Sequence, residues 1–156
     1  MKIGIIVYSL SNHTLSVAQK LKASLEAGGH SVALERIEIE GRAHPSNEGA
    51  PLKTIPDPAP YDGLVFASPV RGGVLPPPVL RYLEGLGPLD GRQTACLVTG
   101  FFPENIGRNQ VLTQMREVLA SRGVEVCATG SVGWLSLNRR QQIRGAVATL
   151  TGAFSR

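Results

Sequence analysis

The sequence predicts a single α/β domain, covering residues 1–156, in which helices pack on both faces of a five-stranded parallel sheet. Its length of 156 residues is typical of one domain. Short apolar runs alternate with segments of helical periodicity, and residues 3–7 form a β-branched run typical of a strand buried on both faces. Right-handed crossovers between parallel strands then place helices on both sides, which makes the sheet doubly wound.

The first elements in chain order are a strand, a helix and a second strand. After the strand at residues 3–7, apolar side chains recur at three- and four-residue steps, which predicts an amphipathic helix over residues 14–27. Gly28 and Gly29 end this helix as a C-cap pair. Alternation of apolar and polar residues predicts a second strand over residues 31–39, exposed on one face.

The segment of residues 41–60 does not follow the strand–helix alternation. It contains five prolines and two glycines, so a regular helix does not fit there. A crossover between parallel strands normally carries a helix. We therefore predict that an irregular segment or a short turn of helix makes this connection.

The remaining elements alternate regularly up to the C-terminus. Apolar runs predict strands over residues 63–67, 93–99 and 125–132. Helical periodicity predicts three helices: one that starts at the prolines 76–78, one over residues 110–122 and one over residues 138–154. Cys96 and Cys127 lie in apolar runs, and we interpret both as buried strand residues without a disulfide or metal role. Trp134 follows the last strand, and we interpret it as a core or helix-packing residue.

The composition limits the partners that the chain can have. Hydrophobic residues make up 42% and charged residues 18%, which is typical of a globular protein. The net charge is +4, but the cations are scattered apart from Arg139, Arg140 and Arg144, which favours a solvated helix face over a nucleic-acid site. No run approaches the about 20 apolar residues of a membrane span. We therefore expect a cytoplasmic protein that binds neither nucleic acid nor membrane, and its three dispersed histidines do not predict a metal site.

The candidate binding loops follow from the predicted topology. In open α/β sheets, ligands bind outside the carboxyl ends of the strands, where the strand order reverses. For the strand order 2-1-3-4-5, this point lies between the first and third strands. The loops after Val7, Ala67 and Thr99 are therefore the candidates.

The loop after the first strand is rich in hydrogen-bonding side chains. It consists of Ser9, Leu10, Ser11, Asn12, His13 and Thr14. These residues stand directly before a helix, where free backbone N–H groups and the helix dipole attract anions. A helix cap needs one hydroxyl and this loop has three, so the pattern favours a phosphate site over a simple N-cap.

The other two loops carry groups suited to a planar ligand. The loop after the third strand contains Ser68, Pro69, Val70, Arg71, Gly72 and Gly73. The two glycines let the backbone approach a flat ring closely, although a tight turn would use them as well. The loop after the fourth strand begins with Thr99, Gly100, Phe101 and Phe102. Its phenylalanines are candidates for stacking on a ring or for sealing the core.

These loops resemble the flavodoxin family. The phosphate motif of that family reads Ser/Thr-x-Ser/Thr-Gly-Asn-Thr, and Ser9, Ser11 and Thr14 match its hydroxyl positions. Asn12 replaces the glycine and tolerates positive φ better than most residues, while His13 stands where asparagine is common. The resemblance implies a flavodoxin-like three-layer sandwich with the strand order 2-1-3-4-5.

The third strand and its loop support the same resemblance. Residues 61–70 are similar to the family signature Tyr-Asp-x-hydrophobic-Gly-Ser-Pro-x. The resemblance extends over nearly the whole chain and is weakest over residues 41–60. Residues 9–14 contain no glycine, which argues against the Rossmann and Walker phosphate loops.

The resemblance implies FMN as the cofactor, with its phosphate on residues 9–14 and its ring between residues 68–73 and 99–102. It implies electron transfer with a redox partner protein. Two alternatives stay open: an NAD(P)H-dependent reductase of FMN or quinones, and a flavin-free binding module. No residue stands out as an obligatory acid or base, which favours electron transfer. The charge of +4 departs from the acidic flavodoxins, which dock on basic partners, and weakens the carrier hypothesis. The oligomeric state stays open.

Overall fold

The computed structural model describes residues 1–155. Its strands are β1 Lys2–Val7, β2 Ser31–Arg36, β3 Glu38–Ile39, β4 Leu52–Thr54, β5 Gly63–Pro69, β6 Gln93–Gly100 and β7 Val126–Gly133. Its α-helices are α1 His13–Ala27, α2 Pro77–Glu84, α3 Asn109–Ala120 and α4 Arg139–Ala153. A short helical turn lies at Pro45–Asn47, and Glu104–Arg108 forms a kinked turn in which Ile106 and Gly107 have non-helical backbone angles.

Five strands form one parallel sheet in the order β2-β1-β5-β6-β7. Numbered among these five strands alone, the order is 2-1-3-4-5, so the predicted topology is confirmed. The order reverses between β1 and β5, whose residues Val7 and Ala67 are register partners. The carboxyl ends of these two strands therefore flank the point at which ligands of such sheets bind.

Two hydrophobic layers cover the two faces of the sheet. Because side chains alternate along a strand, Ile3 and Ile5 of β1 pack in the layer that contains α1 and α4, while Ile6 packs in the layer with α2 and α3. All three isoleucines are fully buried. Burial of an isoleucine side chain contributes about 1.5–3 kcal/mol, so β1 anchors both layers.

The second strand is shorter than the sequence predicts. It leaves the main sheet after Arg36, and Glu38–Ile39 pairs instead with Leu52–Thr54 in a separate antiparallel pair. The last backbone donor to the main sheet is Ile37, whose N–H donates to the Val7 carbonyl. Because β1 ends at Val7, residues beyond 37 have no strand there to pair with.

Residues 41–60 form the irregular connection that the prolines predict, with one short helical turn at Pro45–Asn47. Side chains from the next elements hold it in place. Arg81 donates to the carbonyls of Glu48 (3.0 Å) and Ala50 (2.6 Å), and the Tyr82 hydroxyl donates to the Pro56 carbonyl. Hydrogen bonds from helix α2 therefore hold this irregular segment against the rest of the fold.

The two cysteines differ in environment. Cys96 is buried in β6, as predicted, and burial raises the pKa of its thiol to about 12. Cys127 is exposed on β7, so the prediction that it is buried is wrong. Strand β7 lies at the edge of the sheet. Within residues 1–155, no helix combines the length and apolar character needed to cross a bilayer.

Candidate functional site

The three loops chosen from the sequence meet at the carboxyl edge of the sheet. The Tyr8 N–H donates to the Ala67 carbonyl (3.0 Å), and the Val70 N–H donates to the Thr99 carbonyl (3.1 Å). A fourth loop, after β7, joins them through a 2.7 Å hydrogen bond from the Trp134 N–H to the Gly100 carbonyl. The site is therefore built from four loops, of which the sequence identified three.

Residues 9–14 present a row of unpaired backbone donors, which we call the amide nest. None of their six N–H groups donates to an acceptor within residues 1–155. They precede and open α1, whose first helical hydrogen bond runs from the Ser16 N–H to the Asn12 carbonyl. Free N–H groups at the positive end of a helix dipole form a binding site for anions.

Asn12 gives the amide nest its shape. Its φ of 66° and ψ of 2° lie in the left-handed region, where it is the single non-glycine residue of residues 1–155. Asparagine adopts this conformation more readily than most residues, as the sequence analysis anticipated. The replacement of the family's glycine therefore preserves a glycine-like backbone.

The three hydroxyls of the loop are not equivalent. The buried Ser9 hydroxyl accepts a long hydrogen bond from the Leu15 N–H (3.4 Å), and the Thr14 and Thr99 hydroxyls bond to each other at 2.8 Å. Ser11 is exposed, and its hydroxyl has no partner within the described residues. Ser11 is therefore the hydroxyl that is free to bind a ligand, while Ser9 and Thr14 also stabilise the loop.

An aromatic stack connects the amide nest to two other loops. The His13 ring lies parallel to the Trp134 indole, with centroids 4.1 Å apart, and meets the edge of Phe101 at 5.4 Å. Arg139 covers the indole at 4.8 Å and donates to the Trp134 carbonyl. Trp134 is partly buried against the core layer that contains α1 and α4, as predicted, and it also contributes to the site through its stack on His13.

The environment of His13 disfavours its charged form. Burial between the rings and the positive charge of Arg139 lower the pKa of His13 below the ordinary value of 6.5. His13 is therefore mainly neutral at pH 7, and a neutral imidazole stacks on Trp134 without bringing a second cation beside Arg139.

The two glycines after β5 form a tight turn. Arg71 and Val74 exchange backbone hydrogen bonds of 3.1 Å, and Gly72 and Gly73 between them have φ of 57° and 77°. The turn therefore requires both glycines, as the alternative interpretation stated. No atom lies within 4 Å of the Cβ position at either glycine, so the outer surface of the turn is also open to a ligand.

The phenylalanines after β6 do not seal the core. Phe101 is 49% exposed and Phe102 is 60% exposed. Of the two interpretations left open by the sequence, the structure excludes burial in the core. Both rings remain available to a ligand or a partner.

The loops after β5 and β6 pack directly against each other. Gly107 has a φ of 98°, and a Cβ added there would lie 2.7 Å from Val70 Cγ1 and 3.2 Å from Gly73 Cα. A side chain at position 107 would therefore push the two loops apart. This close approach explains why a glycine stands there.

The overall arrangement can now be compared with known proteins. No family model matches the chain. Flavodoxin 1 from Bacillus cereus superposes with a TM-score of 0.69 at 16% identity, over 99% of this chain and 97% of that one. Flavodoxin 2 from the same organism gives a TM-score of 0.66 at 24% identity, over 99% and 100%. The chain has the flavodoxin fold.

Two further proteins are similar to this chain. The structure of a flavoprotein in complex with FMN from Lactobacillus acidophilus NCFM gives a TM-score of 0.64 at 16% identity, over 93% of this chain and 97% of that one. In sequence, the NAD(P)H quinone oxidoreductase PST1 of Candida albicans is 23% identical over 167 residues, which cover 99% of this chain and 83% of that protein.

A buried arginine stabilises the loop after β6. Arg108 is 4% exposed and donates from Nε to the Phe102 carbonyl (3.3 Å) and from a terminal nitrogen to the Ser131 hydroxyl (2.6 Å). Within residues 1–155, no carboxylate lies within 4 Å of it. Burial lowers the pKa of its guanidinium, but the side chain stays charged. Arg108 therefore links β7 to the loop that carries Phe101 and Phe102.

A buried carboxylate supports the neighbouring loop. Glu48 accepts hydrogen bonds from the Tyr8 hydroxyl (2.8 Å) and from Arg71 Nε (3.1 Å), although it is only 7% exposed. Burial and the bond to Glu48 raise the pKa of Tyr8. Through Arg71, Glu48 ties the irregular segment 41–60 to the turn after β5.

The remaining residues chosen from the sequence have structural contacts. The Ser68 hydroxyl is buried and donates to the Pro69 carbonyl, so it is not free for a ligand. Leu10 packs partly against the core, and Gly100 contacts the Arg108 side chain. The sequence did not indicate Glu48 and Arg108, because their partners Tyr8 and Ser131 are distant in sequence. It assigned Trp134 a packing role, but the stack of Trp134 on His13 joins two separate loops and gave no local signal.

Proposed function

We propose that this chain binds FMN at the carboxyl edge of the sheet and transfers electrons. The observation that carries the proposal is the amide nest, whose six unpaired N–H groups stand at the start of α1 beside the reversal of strand order. The flavodoxin fold and the likeness to a flavoprotein in complex with FMN support FMN as the molecule that carries the anion.

The fold supports the phosphate of FMN as that anion, whereas free backbone N–H groups at the start of a helix would by themselves accept any phosphate.

The amide nest fits the phosphate end of FMN. The first turn of α1 consists of His13, Thr14, Leu15 and Ser16, so it brings no negative charge against a phosphate. Hydrogen bonds to a charged group contribute about 1.5–3 kcal/mol each, so a few of the six donors are enough for tight binding. The exposed Ser11 hydroxyl adds a further donor. In this proposal, backbone groups bind the phosphate and no lysine is needed.

The loops after β5 and β6 fit the ring end. The turn at Gly72 and Gly73 presents open backbone, and Phe101 and Phe102 present exposed aromatic surface. Aromatic rings stack with an energy of about 0.5–1.5 kcal/mol beyond their area burial. FMN, when bound, supplies reversible transfer of one or two electrons, and the residues of this chain bind and orient its ring.

The ionisable groups of the site favour electron transfer over acid–base catalysis. Glu48 is held by Tyr8 and Arg71, and Arg108 is buried between Phe102 and Ser131. Among the described residues of these loops, His13 is the one histidine; burial and Arg139 lower its pKa below 6.5, and its ring contacts Trp134 and Phe101. These contacts hold the ionisable side chains in fixed positions, which suits a structural role better than proton transfer to a substrate.

A second candidate function is an NAD(P)H-dependent quinone reductase. It is supported by the similarity to the Candida albicans protein, which extends over 99% of this chain. In that case FMN held in the same site would supply electron transfer from NAD(P)H to a quinone. Anaerobic addition of NADPH separates the two candidates, because rapid bleaching of the flavin supports the reductase and a stable yellow colour supports the carrier.

The test of FMN binding compares FMN with riboflavin, which lacks the phosphate. FMN added to the purified protein should bind, and the protein should then show flavin absorption bands at about 370 and 450 nm. Ser11→Asp places a negative charge beside the amide nest and should weaken FMN binding at least about tenfold while leaving riboflavin binding nearly unchanged. Ser121→Asp, an exposed change at the far end of α3, is the matched control. Failure to take up FMN would instead support a flavin-free binding module.

A further inference from the structure

The exposed apolar side chains are concentrated at one edge of the molecule. Within residues 1–155, eight large apolar side chains are markedly exposed, and six of them lie in the loops after β5, β6 and β7. These six, which we call the apolar rim, are Val74, Phe101, Phe102, Ile106, Leu135 and Leu137. A cluster of exposed apolar groups in one region is typical of an interaction surface, whereas single exposed residues are common everywhere.

The loop after β7 contributes the most exposed part of the rim. Leu135 is 67% exposed and Leu137 is fully exposed. Residues 134–141 line an open cavity of about 570 Å³. Trp134, which stacks on His13 of the amide nest, forms part of that lining. The apolar rim is therefore continuous with the site proposed for FMN.

The charges beside the rim are mainly positive. Arg139, Arg140 and Arg144 are exposed at the start of α4, and the sequence contains no aspartate or glutamate after Glu125. Glu104 is the acidic residue of the loop after β6. We call the three exposed arginines the α4 arginines. They set the sign of the charge on this side of the rim.

We propose that the apolar rim and the α4 arginines form a docking surface for a protein redox partner whose contact surface is apolar with an acidic border. The inference rests on the proposed function, because a partner in electron transfer must approach the edge of the bound flavin. Charge complementarity selects the acidic partner, since opposite charges steer association and like charges oppose it. A second copy of this chain is disfavoured, because it would bring the α4 arginines of both copies together.

The electron balance of the exchange is simple. One fully reduced flavin gives two electrons, one to each of two partner molecules, and releases two protons to solvent. Each partner carries one oxidised metal centre that is reduced by one electron. The rim includes Phe101 and Phe102, so a docked partner lies against the loop proposed to contact the flavin ring.

The test uses two one-electron acceptor proteins of opposite charge. Reduced, FMN-loaded protein is mixed by stopped flow with plastocyanin, an acidic copper protein, or with cytochrome c, a basic haem protein. The rate constant with plastocyanin should fall at least about tenfold as the ionic strength rises from about 0.01 to 0.3 M, because salt screens the attraction. The rate constant with cytochrome c should rise over the same range.

Charge reversal locates the effect. Arg140→Glu with Arg144→Glu should lower the plastocyanin rate constant at low ionic strength at least about tenfold. Lys2→Glu with Lys20→Glu changes the net charge by the same amount, at the amino end of β1 and in the middle of α1, and should change that rate less than about twofold. Equal effects of the two double variants would overturn the docking surface.

The apolar part of the surface has its own control. Leu135→Ser with Leu137→Ser should lower the plastocyanin rate constant about fivefold at high ionic strength, where charge steering is screened. Ile55→Ser removes an apolar side chain outside the rim that is about as exposed as Leu135, and it should have no effect. Unchanged rates for the double variant, or a dimer of this chain in sedimentation that the same substitutions dissociate, would overturn the proposal.

A flavin-independent readout keeps this inference separate from the proposed function. Absorption spectra taken before mixing show whether FMN is bound, and a colourless protein would refute the FMN proposal alone. Amide shifts of the ¹⁵N-labelled chain on addition of redox-inactive, cadmium-substituted plastocyanin report docking with or without flavin. Shifts should concentrate at residues 101–106 and 134–144. A yellow protein without such shifts would refute the docking surface and leave FMN binding intact.

Discussion

Gly107→Ala should destabilise the protein and weaken flavin binding, because position 107 lies where the loops after β5 and β6 touch. The glycine has a φ of 98°, and its missing Cβ would lie 2.7 Å from Val70 Cγ1 and 3.2 Å from Gly73 Cα. The left-handed backbone costs alanine about 1–2 kcal/mol. Overpacking of the kind expected against Val70 costs about 1–3 kcal/mol more. The free energy of unfolding should therefore fall by about 2–5 kcal/mol.

Gly91→Ala is the matched control for the backbone contribution. Gly91 has a φ of 78°, but no atom lies within 4 Å of its Cβ position. This variant should lose only the about 1–2 kcal/mol that a left-handed alanine costs. The difference between Gly107→Ala and Gly91→Ala then measures the contact between the two loops.

The assay is urea unfolding, followed by far-ultraviolet circular dichroism and by the fluorescence of Trp134, the single tryptophan. Val70→Ala removes the nearest atom, so the double variant with Gly107→Ala should be more stable than the sum of the single changes predicts, by about 1 kcal/mol or more.

Gly107→Ala should also weaken the binding of FMN and of riboflavin equally, because it moves the ring loops and leaves the amide nest intact. Equal destabilisation by Gly107→Ala and Gly91→Ala, without rescue by Val70→Ala, would refute the loop contact.

Three further predictions concern single residues of the site. Trp134 fluorescence should change as the pH falls through the pKa of His13, which lies below 6.5, and His13→Gln should abolish this change. Because the folded state disfavours the charged form of His13, the free energy of unfolding should also decrease as the pH falls below 6.5. Asn12→Gly should retain stability, whereas Asn12→Ala should lose about 1 kcal/mol in urea unfolding. Arg108→Leu leaves the Ser131 hydroxyl and the Phe102 carbonyl without their donor and should cost about 1–3 kcal/mol, measured in the same way.

The fold could be predicted because its signals are local. The β-branched run at residues 3–7 and the helical periodicity of residues 14–27 each depend on neighbours within a few positions. The end of the second strand could not be predicted from its own residues. It depends on where β1 ends, since Ile37 bonds to Val7 and the residues after it have no strand to pair with.

The candidate site was predictable to the same extent. The left-handed conformation of Asn12 follows from the chemistry of one residue, and the unpaired donors follow from a helix start after a buried strand. Glu48 and Arg108 gave no such signal. Their partners are distant in sequence, with Glu48 bonded to Tyr8 and Arg108 bonded to Ser131, so only the topology shows that they support the loops.

The hydrogen bonds of the loop decide which substitution tests the phosphate site. Ser9, Ser11 and Thr14 look equivalent in sequence, but Ser9 bonds to the Leu15 N–H and Thr14 bonds to Thr99. Replacing all three by alanine would therefore combine lost binding with lost stability. The amide nest itself consists of backbone groups, which no side-chain truncation removes. A negative charge at position 11 opposes the phosphate without breaking an internal hydrogen bond, and a parallel titration with riboflavin shows whether the phosphate is the group affected.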